Sequence, residues 1–250
     1  MIGMKAKFCL ITLIVTLSAS CYALPEELEY AYPDISVWTT QRDQDGKLKN
    51  PLLKLADELF SKAGIPWHPQ DYPAKRMFAN LRAGVSKFSM LVNSESLLQG
   101  CCLVSKDPVA LVEIRSFYRG DSEPVHSIEQ LKGKSVITIQ GYGYAGFLKH
   151  IKNPAHQIVN YPARNHTSAF AMLSRGRAEY VIDYAFPAAE ILEQSPIPDL
   201  TYSSLKKTHV YLVLHKDYPD AEKVMQRLEE VAQTLDKGKY LASPVLKQVD

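Results

Sequence analysis

Ser127-Ile128-Glu129-Gln130-Leu131-Lys132-Gly133-Lys134-Ser135-Val136-Ile137-Thr138-Ile139-Gln140-Gly141-Tyr142-Gly143-Tyr144 is the stretch on which the fold turns. Ser127 to Leu131 reads as a short helix and Lys132-Gly133-Lys134 as a turn. Ser135 to Ile139 is rich in β-branched residues and reads as a strand. The glycines that follow read as a tight turn leading into another helix. Helix, turn, strand, glycine turn and helix in this order is the repeating unit of an α/β protein.

The same alternation extends in both directions. Upstream, Ile35 to Thr40 predicts a strand, and Asn50 to Ala63 an amphipathic helix with Leu52, Leu53, Leu55, Ala56, Leu59 and Phe60 on its apolar stripe. Asn50 suits an N-cap, Pro51 the first helical position and Gly64 the stop. Pro73 to Arg82 predicts a helix closed by Gly84, Phe88 to Val92 a strand, and Val109 to Tyr118 another. Downstream, strands are predicted at Ile158–Tyr161, Tyr180–Tyr184 and Val210–Leu214, and helices at Thr167–Arg175, Phe186–Glu193 and Asp220–Leu235. The pattern predicts mainly parallel sheets flanked by helices on both faces. No repeat or linker divides the chain in sequence, so two lobes would require the chain to cross between them more than once.

The first residues are read apart from this body. Lys5 and Lys7 precede an apolar run from Phe8 to Leu17, and Ser18, Ala19 and Ser20 follow. That order marks a secretory signal, and the run is shorter than the roughly 20 residues a membrane span needs. Residues 1–23 are expected to be cut off after Ala23, with Ser20 as the alternative. Cys21 leaves open a lipid anchor on a new N-terminus, although Ser18 stands where such signals carry Leu. Loss of the two lysines leaves equal numbers of acidic and basic side chains, with no basic stripe to read as a nucleic-acid or anionic-lipid footprint. With 46% hydrophobic residues and a mean hydropathy of −0.16, the chain reads as a soluble globular protein. Cys101 and Cys102 are adjacent; they read either as a strained vicinal disulfide in an oxidising compartment or as small residues facing opposite sides of a strand. The motif search gives no nucleophile elbow, no zinc-binding histidine pair and no phosphate loop. No cofactor or metal is expected.

In three stretches the chain resembles the extracellular solute-binding proteins of family 3, the polar amino acid type. Ser127 to Val136 looks like that family's "S-hydrophobic-x-D-L-K-G-K-x-V" segment. Gly141-Tyr142-Gly143 stands where the family has a "G-[ST]-x" loop. Ala171 to Asp183 looks like "L-x-x-G-R-x-D-A-V-hydrophobic-x-D". Pro73-Ala74-Lys75-Arg76 with Leu81 and Gly84 adds a fourth, looser match. The resemblance covers essentially the whole mature chain and implies the two-lobed type II periplasmic binding protein fold. Lobe one would be residues 24–108 plus 211–250, and lobe two residues 109–210. It also implies a periplasmic monomer that closes by hinge motion on a small polar ligand and delivers it to an ABC-type membrane permease. A sensor that presents its bound state to a membrane receptor, and a lyase or hydrolase on the same fold, are the alternatives; binding without catalysis is the reading adopted.

The candidate ligand-binding residues follow from the same matches. Gly141, Tyr142 and Gly143 would offer backbone N–H groups to an anion at a helix start; the alternative is a turn that needs glycine for its backbone alone. Arg76 would reach the cleft from its helix. Trp38, Tyr72, Tyr142, Tyr144 and Tyr184 are candidate cleft aromatics, Asn93 a polar contact, and Asp183 a partner for an ammonium or hydroxyl. His166 is expected in a surface loop. Two departures from the family pattern stand out. Asn93 to Gln99 carries no Arg where amino-acid binders place a carboxylate clamp. Tyr184, one residue beyond Asp183, occupies the place of the ammonium-binding Asp, and a one-residue shift in a strand reverses the side chain's face.

Overall fold

A computed structural model describes residues 27–92 and 100–238 of the 250-residue chain. The signal segment, Cys21 and Asn93 lie outside the described residues. Among the described residues nine strands form one sheet: β1 Leu28–Pro33, β2 Trp67–Tyr72, β3 Phe88–Val92, β4 Cys102–Val104, β5 Ala110–Arg119, β6 Ser135–Ile139, β7 Val159–Ala163, β8 Tyr180–Tyr184 and β9 Leu200–His215. The helices are α1 Pro51–Ala63, α2 Ala74–Arg82, α3 Phe147–Ile151, α4 His166–Ser174, α5 Ala185–Gln194 and α6 Ala221–Thr234. Among the described residues no helix is long and apolar enough to cross a membrane.

The sheet runs β2-β1-β3-β9-β5-β8-β6-β7, with β4 also on β9. Its two ends are parallel, through β1–β2 and β1–β3 on one side and β6–β7 and β6–β8 on the other. The middle is antiparallel, because β9 returns beside both β3 and β5. β9 changes partner along its length. Leu200 to Val210 pair with β5, whereas Val210 to Leu214 pair with β3. One long strand thus ties two half-sheets together, each with its own aromatic core. In the first half Phe60 of α1 packs on Phe88 and Trp67, with ring centroids 4.9 and 5.4 Å apart. In the second, Phe117 packs on Phe170 and Tyr202 at 5.1 and 5.8 Å.

The local signals explain the elements they mark. Asn50 Oδ1 accepts from the Leu52 amide, Pro51 opens α1, and Gly64 closes it with φ at 71°. Leu52, Leu55, Ala56, Leu59 and Phe60 are its buried face. Ser127 and Gln130 form a reciprocal cap around a 3-10 turn at Ile128–Leu131.

Two expectations are corrected, and one strand is added to those expected. Residues 35–40 are not a strand; β1 ends at Pro33, and the following loop is held by local and cross-sheet bonds, beginning with the Trp38 amide on Ser36 Oγ. β2 forms despite Pro69 because it lies at the sheet's edge, where a missing N–H is tolerated. β9 extends ten residues upstream of Val210 through Lys206 and Lys207, which an apolar pattern does not flag. Cys101 and Cys102 are not joined as a disulfide, and Cys102 is buried at the start of β4.

Candidate functional site

The loop after β1 lies across the second half-sheet and is stitched to it residue by residue. Ser36 offers its carbonyl to the Tyr142 hydroxyl at 2.7 Å. The Trp38 ring meets Phe186 of α5 at 5.1 Å. The Glu190 carboxylate on α5 accepts from the Thr39 hydroxyl at 2.7 Å, and from both the amide and the hydroxyl of Thr40. Ile35 approaches Gly141 so closely that a Cβ there would sit 3.3 Å from Ile35 Cδ1. Residues 35–40 therefore act as a strap holding the two halves together.

Behind the strap runs a buried polar chain. Tyr142 Oη is 2.9 Å from His166 Nε2, His166 Nδ1 is 2.7 Å from Asp183 Oδ2, and Asp183 Oδ1 accepts from the Tyr184 amide. A carbonyl can only accept, so Tyr142 donates to Ser36, and His166 Nε2 then donates to Tyr142. The proton between His166 and Asp183 completes the chain, and every polar atom in it is satisfied. Burial, followed by the charge of Asp183, pushes the Tyr142 and Tyr144 phenols well above their ordinary range. They stay protonated; Tyr142 donates to Ser36, while Tyr144 Oη accepts from the Ile139 amide at 2.7 Å.

A cavity of about 360 Å³ lies between the halves. Tyr30, Tyr32, Trp38, Leu52 and Met90 wall it on one side, and residues 141–146 with Tyr184 on the other. Tyr144 and Tyr184 stack at 5.7 Å, and Tyr142 stands edge-on to both. Of the sequence-based candidates, Trp38, Gly141, Tyr142, Gly143 and Tyr184 meet at this cavity. Three do not line it. Tyr72 hydrogen-bonds Glu29 at 3.0 Å. Arg76 is exposed, because α2 turns Ala74, Met77 and Phe78 to the cavity at helical spacing. Asp183 is fully buried on the His166 side of β8, while Tyr184, its neighbour, faces the cavity.

The glycine turn also differs from the expected anion cradle. Gly141 has φ at 90°, and Tyr144, Ala145 and Gly146 are left-handed as well. α3 begins only at Phe147 and has five residues, so its first amides do not follow directly on the turn. Tyr30, Tyr32, Asn50 and Met90 also line the cavity and are not among the sequence-based ligand-binding candidates. The Tyr-x-Tyr spacing at residues 30 and 32 is the available signal, overshadowed by the more strand-like composition of Ile35 to Thr40. His166, expected at the surface, is only 5% exposed.

Comparison with solved structures agrees with this architecture. A histidine kinase sensor domain with similarity to periplasmic binding proteins superposes with a TM-score of 0.69 at 16% identity, over 88% of this chain and 98% of that one. An ancestral arginine-binding protein bound to arginine gives 0.66 at 17% identity, over 87% and 96%. The Bordetella pertussis BvgS VFT2 domain gives 0.61 at 17% identity, over 85% and 89%. No protein-family model matches the chain, and no curated protein does. The chain has the two-lobed type II periplasmic binding protein fold. Its structural neighbours include amino-acid-binding proteins and sensor domains.

Proposed function

We propose that the protein is an exported solute-binding module that captures a small molecule between its lobes and presents the closed state to a membrane partner. The observation that carries this is the cavity of about 360 Å³ walled by both half-sheets beneath the strap. Its size lies in the usual range for small-molecule sites, roughly 300–1,000 Å³. The lobes are residues 24–108 plus 211–250 and residues 109–210, a division supported by the change of partner at Val210. Export to the periplasm rests on the Lys5-to-Ser20 pattern.

The partner is a permease of the ABC type, or a membrane receptor. The likeness to a histidine kinase sensor domain supports the second reading. A thermal-shift screen tests the binding function: the protein is unfolded and refolded to strip carried-over ligand, then mixed with amino acids, polyamines, organic acids and neutral aromatics. A ligand at about 100 times its Kd adds roughly 2.7 kcal/mol, which raises Tm by several degrees. A flat response across the panel would remove the binding reading.

A further inference from the structure

We propose that the cleft takes an uncharged, ring-bearing molecule with a hydroxyl group, and not an amino acid. This rests on the reading that the cleft binds a small ligand. Among the described residues no acidic, basic or histidine side chain lines the cavity. An α-amino acid brings a carboxylate and an ammonium, and each would lose its hydration shell with no opposite charge to face among the described lining residues. The nearest buried carboxylate, Asp183, is turned away from the cavity and already engaged by His166 and the Tyr184 amide.

The wall suits a ring instead. Trp38, Phe78 and the Tyr142–Tyr144–Tyr184 cluster present aromatic faces and edges, and Met77 and Met90 add adaptable apolar surface. One polar atom is left over. Tyr30 lies at the cavity and is completely buried, yet its hydroxyl has no partner among the described residues. A buried hydroxyl without a partner is unfavourable, and burial also pushes this phenol far up, so it is a donor awaiting an acceptor. A ligand hydroxyl oxygen supplies that acceptor without bringing charge.

Isothermal titration calorimetry on the stripped protein tests this with matched probes that share a ring and differ in the charge of the tail. Tyrosol and tryptophol are neutral; tyramine and tryptamine are cations; 4-hydroxyphenylacetate and indole-3-acetate are anions; tyrosine and tryptophan are zwitterions. Choline is added as a cation for which an aromatic wall alone can suffice. The expected result is binding of at least one neutral alcohol, about tenfold or more tighter than each charged counterpart. Equal or tighter binding of any charged probe overturns the inference and leaves the binding cleft standing. If neither alcohol binds, the inference falls; if the broad screen is also silent, the binding function falls with it. Tyr30→Phe gives an independent readout: Tm unchanged or raised, with alcohol affinity reduced about fivefold. Unchanged affinity in that variant would overturn the assignment of Tyr30 as the donor.

Discussion

Tyr142 Oη donates across the cleft to the backbone carbonyl of Ser36 at 2.7 Å, and the same oxygen meets His166 Nε2 at 2.9 Å. The bond joining the halves and the buried histidine therefore share one hydroxyl. Tyr142→Phe removes both bonds and leaves a buried ring nitrogen without its partner. The expected loss is about 1–3 kcal/mol, or roughly 2–12 °C in Tm for a chain of this size. A thermal melt checks it, and an unchanged Tm would mean that the strap is not held through Tyr142.

Glu190 makes the second tether. Its carboxylate gathers the Thr39 hydroxyl and the amide and hydroxyl of Thr40. Hydrogen bonds to a charged group contribute about 1.5–3 kcal/mol. Glu190→Ala is expected to free the strap while both half-sheets stay folded. Amide hydrogen exchange should accelerate at Thr40 and not in β6 or β8, and small-angle scattering should show a larger radius of gyration. Equal protection of Thr40 in both proteins would argue that the strap is held without this carboxylate.

The elements legible in the sequence were those whose own residues decide them. β3, β6 and β8 agree residue for residue with their sequence signals at Phe88–Val92, Ser135–Ile139 and Tyr180–Tyr184, because short β-branched or aromatic runs bounded by turn residues have few other uses. α1 was marked by Asn50, Pro51 and Gly64, each a local backbone device. What escaped depends on partners distant in sequence. Residues 35–40 look like a strand by composition, but their bonds go to Tyr142 and Glu190. β2 owes its place to an edge that tolerates Pro69. The site was legible in part. Tyr142 and Tyr184 could be found from their places in the chain, whereas His166 is buried only because Asp183 and Tyr142 close on it from two other elements.

Acid should weaken the fold through Glu113. Burial pushes this carboxyl up, but hydrogen bonds from Ser204 and Arg115 and the charges of Arg115 and Lys207 outweigh it and hold the group below its ordinary range. Arg115 lies 2.6 Å from Glu113 and stacks its guanidinium 4.0 Å from the Tyr202 ring centre. A group whose folded value is depressed contributes stability above its unfolded value, near pH 4.3, and loses it as pH falls through the lower folded value. Urea melts between pH 7 and pH 3 should therefore show stability falling below about pH 4, with a shallower fall in Glu113→Gln. Parallel curves for the two proteins would remove Glu113 as a source of the acid sensitivity.

Cys102 should be inert in the folded protein. Burial, reinforced by its neighbour Cys101, pushes its thiol up to about 12, and the thiolate is the reactive form. Iodoacetamide at pH 8 followed by peptide mass mapping should leave Cys102 unmodified in the native protein and label it once the chain is unfolded in guanidinium. Native labelling of Cys102 would show that β4 opens readily.

Gly141 and Gly143 flank the same tyrosine but answer to different constraints. Gly141 has φ at 90°, a region that side chains with a Cβ rarely enter, and an added Cβ would press on Ile35 Cδ1 at 3.3 Å. Gly143 has φ at −94° and ψ at −16°, an ordinary right-handed conformation, with nothing within 4 Å of an added Cβ. Gly141→Ala is expected to destabilise by about 1–2 kcal/mol, because it combines left-handed strain with displacement of the strap. Gly143→Ala should be neutral or slightly stabilising, since it restricts the unfolded chain at no steric cost. Side-by-side urea melts distinguish the two. Equal losses would mean that the turn as a whole, rather than the Gly141–Ile35 approach, sets the demand for glycine.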